Sequence, residues 1–295
     1  MMNRTDTIDF GLLGFANLLP VVGFFLFDWE LLVLGLLYWW DAVALMLVYS
    51  GYAMFAQPES RVEEREYTVL PGTVANEFWS QTPRTIARFL PPIYTRNLRV
   101  ILPTVIFVVF MILFTVGADW MAGTPDSEIG SPGDPVEFLS MFSVFASPPV
   151  LGVGAVILGV HVVTLYRRYI CRGKYKKLSA YMTLEPPVRF VLVYVAFVPP
   201  FFLYALLVGA LLNDVLPQWG VYSLWTGSFL ALKLFLEWGR LRAEQLLDPD
   251  SYAAWFSPST PSETVTLSGR AALTYVVTFG FLLSSFLFVV VQSSG

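Results

Sequence analysis

Long apolar runs alternate with short polar connections along the whole chain. Seven runs approach or reach the roughly 20 residues that an α-helix needs to cross the hydrocarbon core of a bilayer. They lie at residues 9–27, 29–55, 99–120, 150–170, 188–212, 219–238 and 271–292. Only Asp28 separates the first two runs, which predicts a tight turn and an antiparallel helix hairpin. The pattern as a whole predicts an all-α fold, a single transmembrane domain over residues 1–295 built as a polytopic bundle of seven spans.

The basic residues predict how the bundle is oriented. Every basic residue except Lys233 lies before the first run, or within or beside the connections that follow the second, fourth and sixth runs. Cytoplasmic connections of membrane proteins carry an excess of Lys and Arg. We therefore expect the amino terminus inside, the carboxy terminus outside, and a multi-pass protein of the plasma membrane. The start of the chain is a poor signal peptide, so we expect the first span to be retained.

Composition supports this assignment and excludes some classes of function. The chain is 56% hydrophobic and 14% charged, which is far from the balance of a soluble domain. A formal net charge of −4 argues against nucleic-acid binding. Arginine outnumbers lysine in an acidic chain, which is typical of a GC-rich, halophilic prokaryote. One histidine and one cysteine supply no metal-ligating set, so we expect neither a metal nor a cofactor.

Two connections on the expected inner side have features of their own. Residues 73–89 mix aromatic side chains with arginine, as an interfacial amphipathic segment does, and Pro83 should break or kink any helix there. The basic run after the fourth span is a candidate for contact with anionic lipid, although topology alone would also explain its charge. Its basic residues are Arg167, Arg168, Arg172, Lys174, Lys176 and Lys177. The lipid bilayer is the partner that the sequence indicates, and it indicates no protein partner.

Strongly polar side chains lie inside four of the predicted spans. An acid at the centre of a span costs about 2.5–3.5 kcal/mol to insert, so an intramembrane acid is a candidate functional residue. From the helical rise, Asp41, His161 and Lys233 lie roughly 20, 17 and 21 Å from the outer ends of their helices. Asn17 lies at about 15 Å on the same scale. We therefore expect these groups to share one layer of the bundle.

The central hypothesis is that Asp41 pairs with Lys233 across the bundle, with His161 nearby. A local pair is the alternative, because Lys233 and Glu237 are four residues apart on one face of the sixth helix. A third reading is that neither pair forms. Tyr38 starts a stripe on the second helix that includes Asp41, which suggests a polar interior face. The candidate site residues are Asp41, His161, Lys233, Glu237, Asn17 and Tyr38.

The polar residues also resemble a known family. The segment Asn17-Leu-Leu-Pro20, followed by a helix that carries Tyr38-Trp39-x-Asp41, is similar to an uncharacterised family of prokaryotic, including haloarchaeal, polytopic membrane proteins of unknown function. Its members typically show Tyr-Trp-x-Glu-Asn here, so Asp41 stands for the glutamate and Ala42 for the asparagine. Further similarities lie at His161, Gly173-Lys-Tyr175, Pro187-x-Arg189, Lys233 and Glu237. The resemblance implies the architecture and the choice of polar residues, and no activity, substrate or cofactor.

Two classes of function follow from these predictions. In the first, the polar cluster is the substrate or proton site of a transporter-like protein. In the second, the protein is a non-catalytic structural or interaction component of the membrane whose polar groups fix helix packing. A membrane enzyme comes third, because the sequence offers neither an activated nucleophile nor a metal set. A water-accessible cluster favours the first class, and a dry, fully paired cluster favours the second.

Overall fold

The computed structural model describes residues 4–62, 69–71, 73, 79–122, 140–212, 214–243 and 255–258. Within these residues the regular structure is helical, apart from one isolated antiparallel bridge between Arg84 and Ile93. Six α-helices follow in order: α1 (Arg4–Leu26), α2 (Leu31–Ala53), α3 (Leu98–Ala122), α4 (Pro148–Leu165), α5 (Ala180–Leu212) and α6 (Gln218–Ala243). The predicted all-α fold class is confirmed for the described part of the chain.

Five described stretches are long and apolar enough to cross a membrane. They are Thr7–Leu26, Leu31–Ala53, Thr95–Val116, Pro148–Ile170 and Ala180–Leu212, which correspond to the first five predicted spans. Helix α6 is 26 residues long, but its charged and polar side chains leave it less apolar than the other helices. The seventh predicted span, residues 271–292, lies outside the described residues. The described helices indicate a membrane protein, and the number seven stays a prediction.

Helix α2 lies at the centre of the bundle. It packs against α1, α3, α4 and α5. Around it, α4 contacts α1, α1 contacts α6, α6 contacts α5, and α5 contacts α3. A helix that is apolar on all sides is typically enclosed by other helices, and α2 is the most deeply buried of the five apolar stretches. Its few polar side chains therefore face protein rather than lipid.

A tight connection joins α1 to α2, as the sequence predicts. Asp28 adopts a left-handed backbone conformation, with φ at 53°. The N–H of Trp29 donates to the carbonyl of Gly23 at 3.3 Å, and the indole of Trp29 lies directly against that glycine. A Cβ at position 23 would lie 2.2 Å from Trp29 Cε3. The hairpin therefore requires glycine at this position.

Gly23→Ala should lower the free energy of unfolding by about 1–3 kcal/mol, because the added methyl group overlaps the indole and forces it to move. Gly35→Ala on α2 is the matched control, since a Cβ there meets nothing within 4 Å. That control should stabilise the helix by up to about 1 kcal/mol through helix propensity. Thermal unfolding of the two variants in detergent compares them, and equal stabilities would contradict the packing of Trp29 on Gly23.

Helix α5 begins earlier than the sequence predicts. The apolar run starts at residue 188, whereas the helix starts at Ala180 and continues through Pro186 and Pro187. Proline removes a backbone donor and normally disrupts a helix interior. Here the first turns are held by packing, because Tyr181 and Leu184 are fully buried. Tertiary contacts therefore extend this helix past the point where local sequence preference would start it.

The predicted interfacial segment, residues 73–89, contains no helix among its described residues. Residues 74–78 of this segment lie outside the described part. Arg84 instead pairs with Ile93 through two backbone hydrogen bonds of 2.9 and 2.8 Å. Ile86 and Phe89 are 68% and 79% exposed, as side chains at a membrane interface can be. The described part is thus an irregular connector that carries exposed apolar groups.

Candidate functional site

Five of the six candidate residues meet in one cluster between α1, α2, α4 and α6. Asp41 on α2 is the centre, and each of its carboxylate oxygens has a different partner. Lys233 Nζ on α6 lies 2.5 Å from Oδ2, and His161 Nε2 on α4 lies 2.8 Å from Oδ1. Because an ionised carboxylate only accepts hydrogen bonds, His161 Nε2 carries the proton in this contact. The predicted contact of Asp41 with Lys233 across the bundle, with His161 beside it, is confirmed.

Asn17 and Tyr38 complete this cluster, which we call the Asp41 cluster: Asn17, Tyr38, Asp41, His161 and Lys233. Lys233 donates a second hydrogen bond to Asn17 Oδ1. The Tyr38 hydroxyl donates to the backbone carbonyl of Asn17 at 3.0 Å, and Lys233 Nζ lies 5.4 Å from the centre of the Tyr38 ring. That distance is within the range of a cation–π interaction. The ammonium group is thus held by a carboxylate, an amide oxygen and an aromatic face.

The Asp41 cluster is almost completely removed from solvent. Lys233 is 0% exposed, and no other member is more than 3% exposed. Buried charges are tolerated when they are paired and hydrogen-bonded, which describes both Asp41 and Lys233. With His161 neutral, the cluster carries one negative and one positive charge. A proton added to Asp41 or to His161 would leave an uncompensated positive charge inside the bundle.

Glu237 lies outside the Asp41 cluster. Its Oε2 accepts hydrogen bonds from Arg240 Nη2 at 2.6 Å and Nε at 3.1 Å, and Arg240 Nη1 donates to the Tyr49 hydroxyl at 2.5 Å. Within the described part of the chain, no ion pair joins Lys233 to Glu237. The alternative of a local Lys233–Glu237 pair is therefore wrong for this structure. The physical reason is that a guanidinium three residues further along α6 reaches the same carboxylate.

Asp9 forms a buried ion cluster that sequence reasoning missed. Its two oxygens accept from Arg167 Nη1 and Arg168 Nε, each at 2.8 Å. Both arginines lie in a π-helical turn, Tyr166–Ile170, that continues α4. π-turns inside helices are frequent at functional sites. This one lets two consecutive side chains reach one carboxylate.

This arrangement corrects part of the predicted lipid contact. Arg168 is 2% exposed and bound to Asp9, so it does not lie at the lipid surface. Arg167 is half-buried on the same carboxylate. The exposed basic side chains of the run are Arg172, Lys176 and Lys177, and Lys174 is partly buried. Topology rules give the side of the membrane on which a basic residue lies, and they do not give its burial.

A further buried ion pair lies near the start of α5. Arg189 Nη2 donates to Glu185 Oε1, and Arg189 Nη1 donates to the carbonyl of Trp255, both at 2.5 Å. The guanidinium also lies 5.2 Å from the centre of the Trp255 ring. In the sequence, Arg189 stands out only as part of the family similarity and as a basic residue at the inner end of a span, and Glu185 and Trp255 carry no signal. The hydrogen bond from Arg189 to Trp255 thus joins residues 255–258, which follow α6 in the sequence, to α5.

The ionisable side chains of the Asp41 cluster are of the kinds that take part in acid–base chemistry. Among the described residues, no group of three or more His, Cys, Asp and Glu side chains could hold a metal ion. The groups that can change charge in the Asp41 cluster are a carboxylate, an imidazole and an ammonium. Such sets mark ion and proton pathways in membrane proteins. The structure therefore shows a buried, paired set of groups whose charges can change with protonation.

Comparison with known proteins gives no relative for this chain: no family model, no curated protein and no solved structure matches it. The similarity of Tyr38-Trp39-x-Asp41 to a prokaryotic membrane-protein family therefore stays a prediction.

Proposed function

We propose that this protein is a multi-pass protein of the plasma membrane in which the Asp41 cluster is the proton or substrate site of a transporter-like protein. Seven spans, with the amino terminus inside and the carboxy terminus outside, complete the proposed topology. One observation carries the proposal. The buried Asp41 carboxylate contacts His161 through one oxygen and Lys233 through the other, and it lies beside α1, α2 and α4, which are apolar enough to span a membrane.

Energetics support a role in which charge changes. Each ionisable side chain at the centre of a span costs about 2.5–3.5 kcal/mol on insertion scales. Neutral polar side chains can join helices at about 0.6–2 kcal/mol per contact without that cost. Replacing a buried ion pair by apolar groups is often neutral or stabilising. Packing alone therefore gives little reason for an Asp, a His and a Lys in one layer.

The contacts suggest how protonation could be linked to helix movement. Asp41 holds α2 to α6 through Lys233 and to α4 through His161. A proton on Asp41 removes the negative charge that holds Lys233, so the contact between α2 and α6 weakens. A cationic substrate that binds Asp41 would compete with Lys233 in the same way. Loss of the proton or substrate restores the contact.

A structural role is the second candidate, and one observation favours it. Every member of the Asp41 cluster is buried and bonded to another member, so the cluster ties four helices together. In that case the polar groups fix the packing of the bundle and never meet water.

Whether water reaches the Asp41 cluster distinguishes the transporter-like site from the structural role. In a Cys171→Ser background, single cysteines at Leu37 and Leu45 lie one turn to either side of Asp41 on the same helix face. Both leucines are 0% exposed. A transporter-like site predicts that a charged methanethiosulfonate reagent modifies at least one of these cysteines in membrane vesicles. The matched control is Leu47→Cys. Leu47 is 45% exposed on the outside of α2, so a cysteine there should face lipid and stay unmodified.

Failure to modify either cysteine, with the control also unmodified, would contradict the transporter-like site and leave the structural role. In separate vesicles that contain the wild-type protein, the native Cys171 tests the orientation. It is exposed in the basic turn after α4. The proposed topology requires a membrane-impermeant reagent to reach it from the cytoplasmic side and not from the outer side.

Anionic lipid is the proposed partner of the exposed basic turn. Arg172, Lys176 and Lys177 are exposed there. Basic residues close to an anionic surface contribute about 1 kcal/mol each.

A further inference from the structure

Glu237 has an oxygen that its known contacts do not use. Arg240 takes only Oε2, and Oε1 is buried without a hydrogen-bond partner among the described residues. The residue itself is 0% exposed. Buried polar atoms nearly always have a partner, so each exception calls for a physical explanation. A bare carboxylate oxygen is an acceptor for which some state of the protein should supply a donor.

Lys233 is the donor best placed to fill that role. It precedes Glu237 by four residues on α6, and side chains at this spacing lie on the same face with their Cβ atoms about 5–6 Å apart. A lysine ammonium sits on a flexible four-carbon stem and can change direction without movement of the helix. In the structure this stem carries the ammonium to Asp41 and Asn17.

We propose that Lys233 is a two-position switch, bound to Asp41 and Asn17 while Asp41 is ionised, and to Glu237 Oε1 once Asp41 has taken up a proton. This inference rests on the proposed function and deepens it, because it assigns Glu237 as the positioning residue for Lys233 in the protonated state. The proton comes from water and binds a carboxylate oxygen of Asp41. Lys233 keeps its three protons and its charge throughout, and only its acceptor changes.

The relative strength of the two acceptors sets the direction of the switch. When an ammonium group donates to an ionised carboxylate, the Coulomb attraction between the two charges adds to the hydrogen bond, and this attraction is lost when the acceptor becomes neutral. While Asp41 is ionised, Asp41 and Asn17 together hold Lys233. When Asp41 is protonated, the carboxylate of Glu237 on the same helix offers Lys233 an acceptor, because Arg240 occupies only its Oε2.

On the helices around Lys233, the following buried groups already have hydrogen-bond partners. On α1, Asp9 is held by Arg167 and Arg168. On α5, Glu185 is held by Arg189. On α2, the Tyr49 hydroxyl accepts from Arg240. On α4, His161 faces Asp41, and its protonation would add a positive charge that also drives Lys233 away.

A three-way mutant cycle tests the switch through melting temperatures in detergent. Asp41→Asn imitates the protonated carboxyl group with a neutral side chain of the same shape. Glu237→Gln should lower the melting temperature more in the Asp41→Asn background than in the wild type, because Lys233 then loses its second acceptor as well. This difference should disappear in the Lys233→Met background. The contact with Arg240 is altered equally in every background, so its cost cancels.

Equal losses from Glu237→Gln in the wild-type and Asp41→Asn backgrounds would overturn the inference. A second measurement keeps it testable if Asp41→Asn does not fold. Solid-state NMR of the wild type, with ¹⁵N-lysine and ¹³C-glutamate, should show a contact between Lys233 Nζ and the Glu237 carboxyl carbon that appears on acidification. No such contact at any pH at which the protein stays folded would also overturn it.

The switch and the proposed function fail in different ways. A lysine–glutamate contact on acidification, with Leu37→Cys and Leu45→Cys both unmodified, would leave the switch standing and remove the transporter-like role. Modification of either cysteine without the lysine–glutamate contact would support the transporter-like site and contradict the switch.

Discussion

Lys233→Met is expected to lower the free energy of unfolding by about 3–5 kcal/mol, because it leaves a buried carboxylate without its cationic partner. Asp41 is 2% exposed, and its other contact, to His161, is neutral unless the imidazole takes up a proton. The Asp41→Asn/Lys233→Met double variant should be less damaged than the sum of the two single variants, since no bare charge remains. Unfolding of the purified variants in detergent by heat or denaturant measures this coupling.

The loss caused by Lys233→Met should shrink as the pH falls. Protonation of Asp41 removes the stranded charge, and protonation of His161 compensates it. Lys176→Met is the matched control, because Lys176 is exposed in the basic turn and should leave stability unchanged. Additive losses in the double variant, or equal losses from Lys233→Met and Lys176→Met, would contradict the buried pair.

Arg240→Met is expected to lower the free energy of unfolding by about 3–5 kcal/mol, because it also leaves a buried carboxylate, that of Glu237, without its cationic partner. Arg240 supplies both hydrogen bonds to Glu237 Oε2 and also donates to the Tyr49 hydroxyl. Its removal leaves a fully buried glutamate without an ion-pair partner in the described part of the chain and removes one of the contacts between α6 and α2.

Arg242→Met tests whether position, rather than residue type, decides the loss. Arg242 lies two residues further along α6 and is only partly buried, with its guanidinium 5.3 Å from the centre of the Trp238 ring. Its replacement should cost about 0.5–1 kcal/mol, the size of an exposed cation–π contact. If the two variants unfold at the same temperature, the buried Glu237–Arg240 pair does not stabilise the bundle as described.

The common layer of Asp41, His161 and Lys233 could be predicted because the rise per residue of an α-helix is constant. The number of residues between a side chain and the end of its span therefore measures its depth. Three helices of the same direction then bring residues of similar depth to one level. Depth alone left two acceptors open to Lys233, and the choice between Asp41 and Glu237 depended on side-chain geometry.

Three predictions failed because other contacts competed with the ones that sequence spacing suggested. Glu237 lies at the right spacing to pair with Lys233, but Arg240 presents several donors to it at close range. Arg168 belongs to a basic run that looks like a lipid surface, but Asp9 from another helix binds it. Helix α5 starts before Pro186 and Pro187 and continues through them, because the burial of Tyr181 and Leu184 stabilises its first turns. The contacts of Arg168 and the start of α5 depend on packing between helices, which sequence spacing does not encode, whereas local spacing offered Glu237 two cations and could not choose between them.

The most direct test of the Asp41 cluster is the distance between Lys233 Nζ and the Asp41 carboxyl carbon in lipid bilayers. Only Lys233, of the four lysines in the chain, lies within a predicted span, so ¹⁵N-lysine and ¹³C-aspartate labels give a single buried pair for solid-state NMR. Because the ammonium lies 2.5 Å from Oδ2, we expect strong dipolar coupling at neutral pH, which is lost in Lys233→Met and kept in Lys176→Met. Absence of coupling in the wild type, or coupling that survives Lys233→Met, would contradict it.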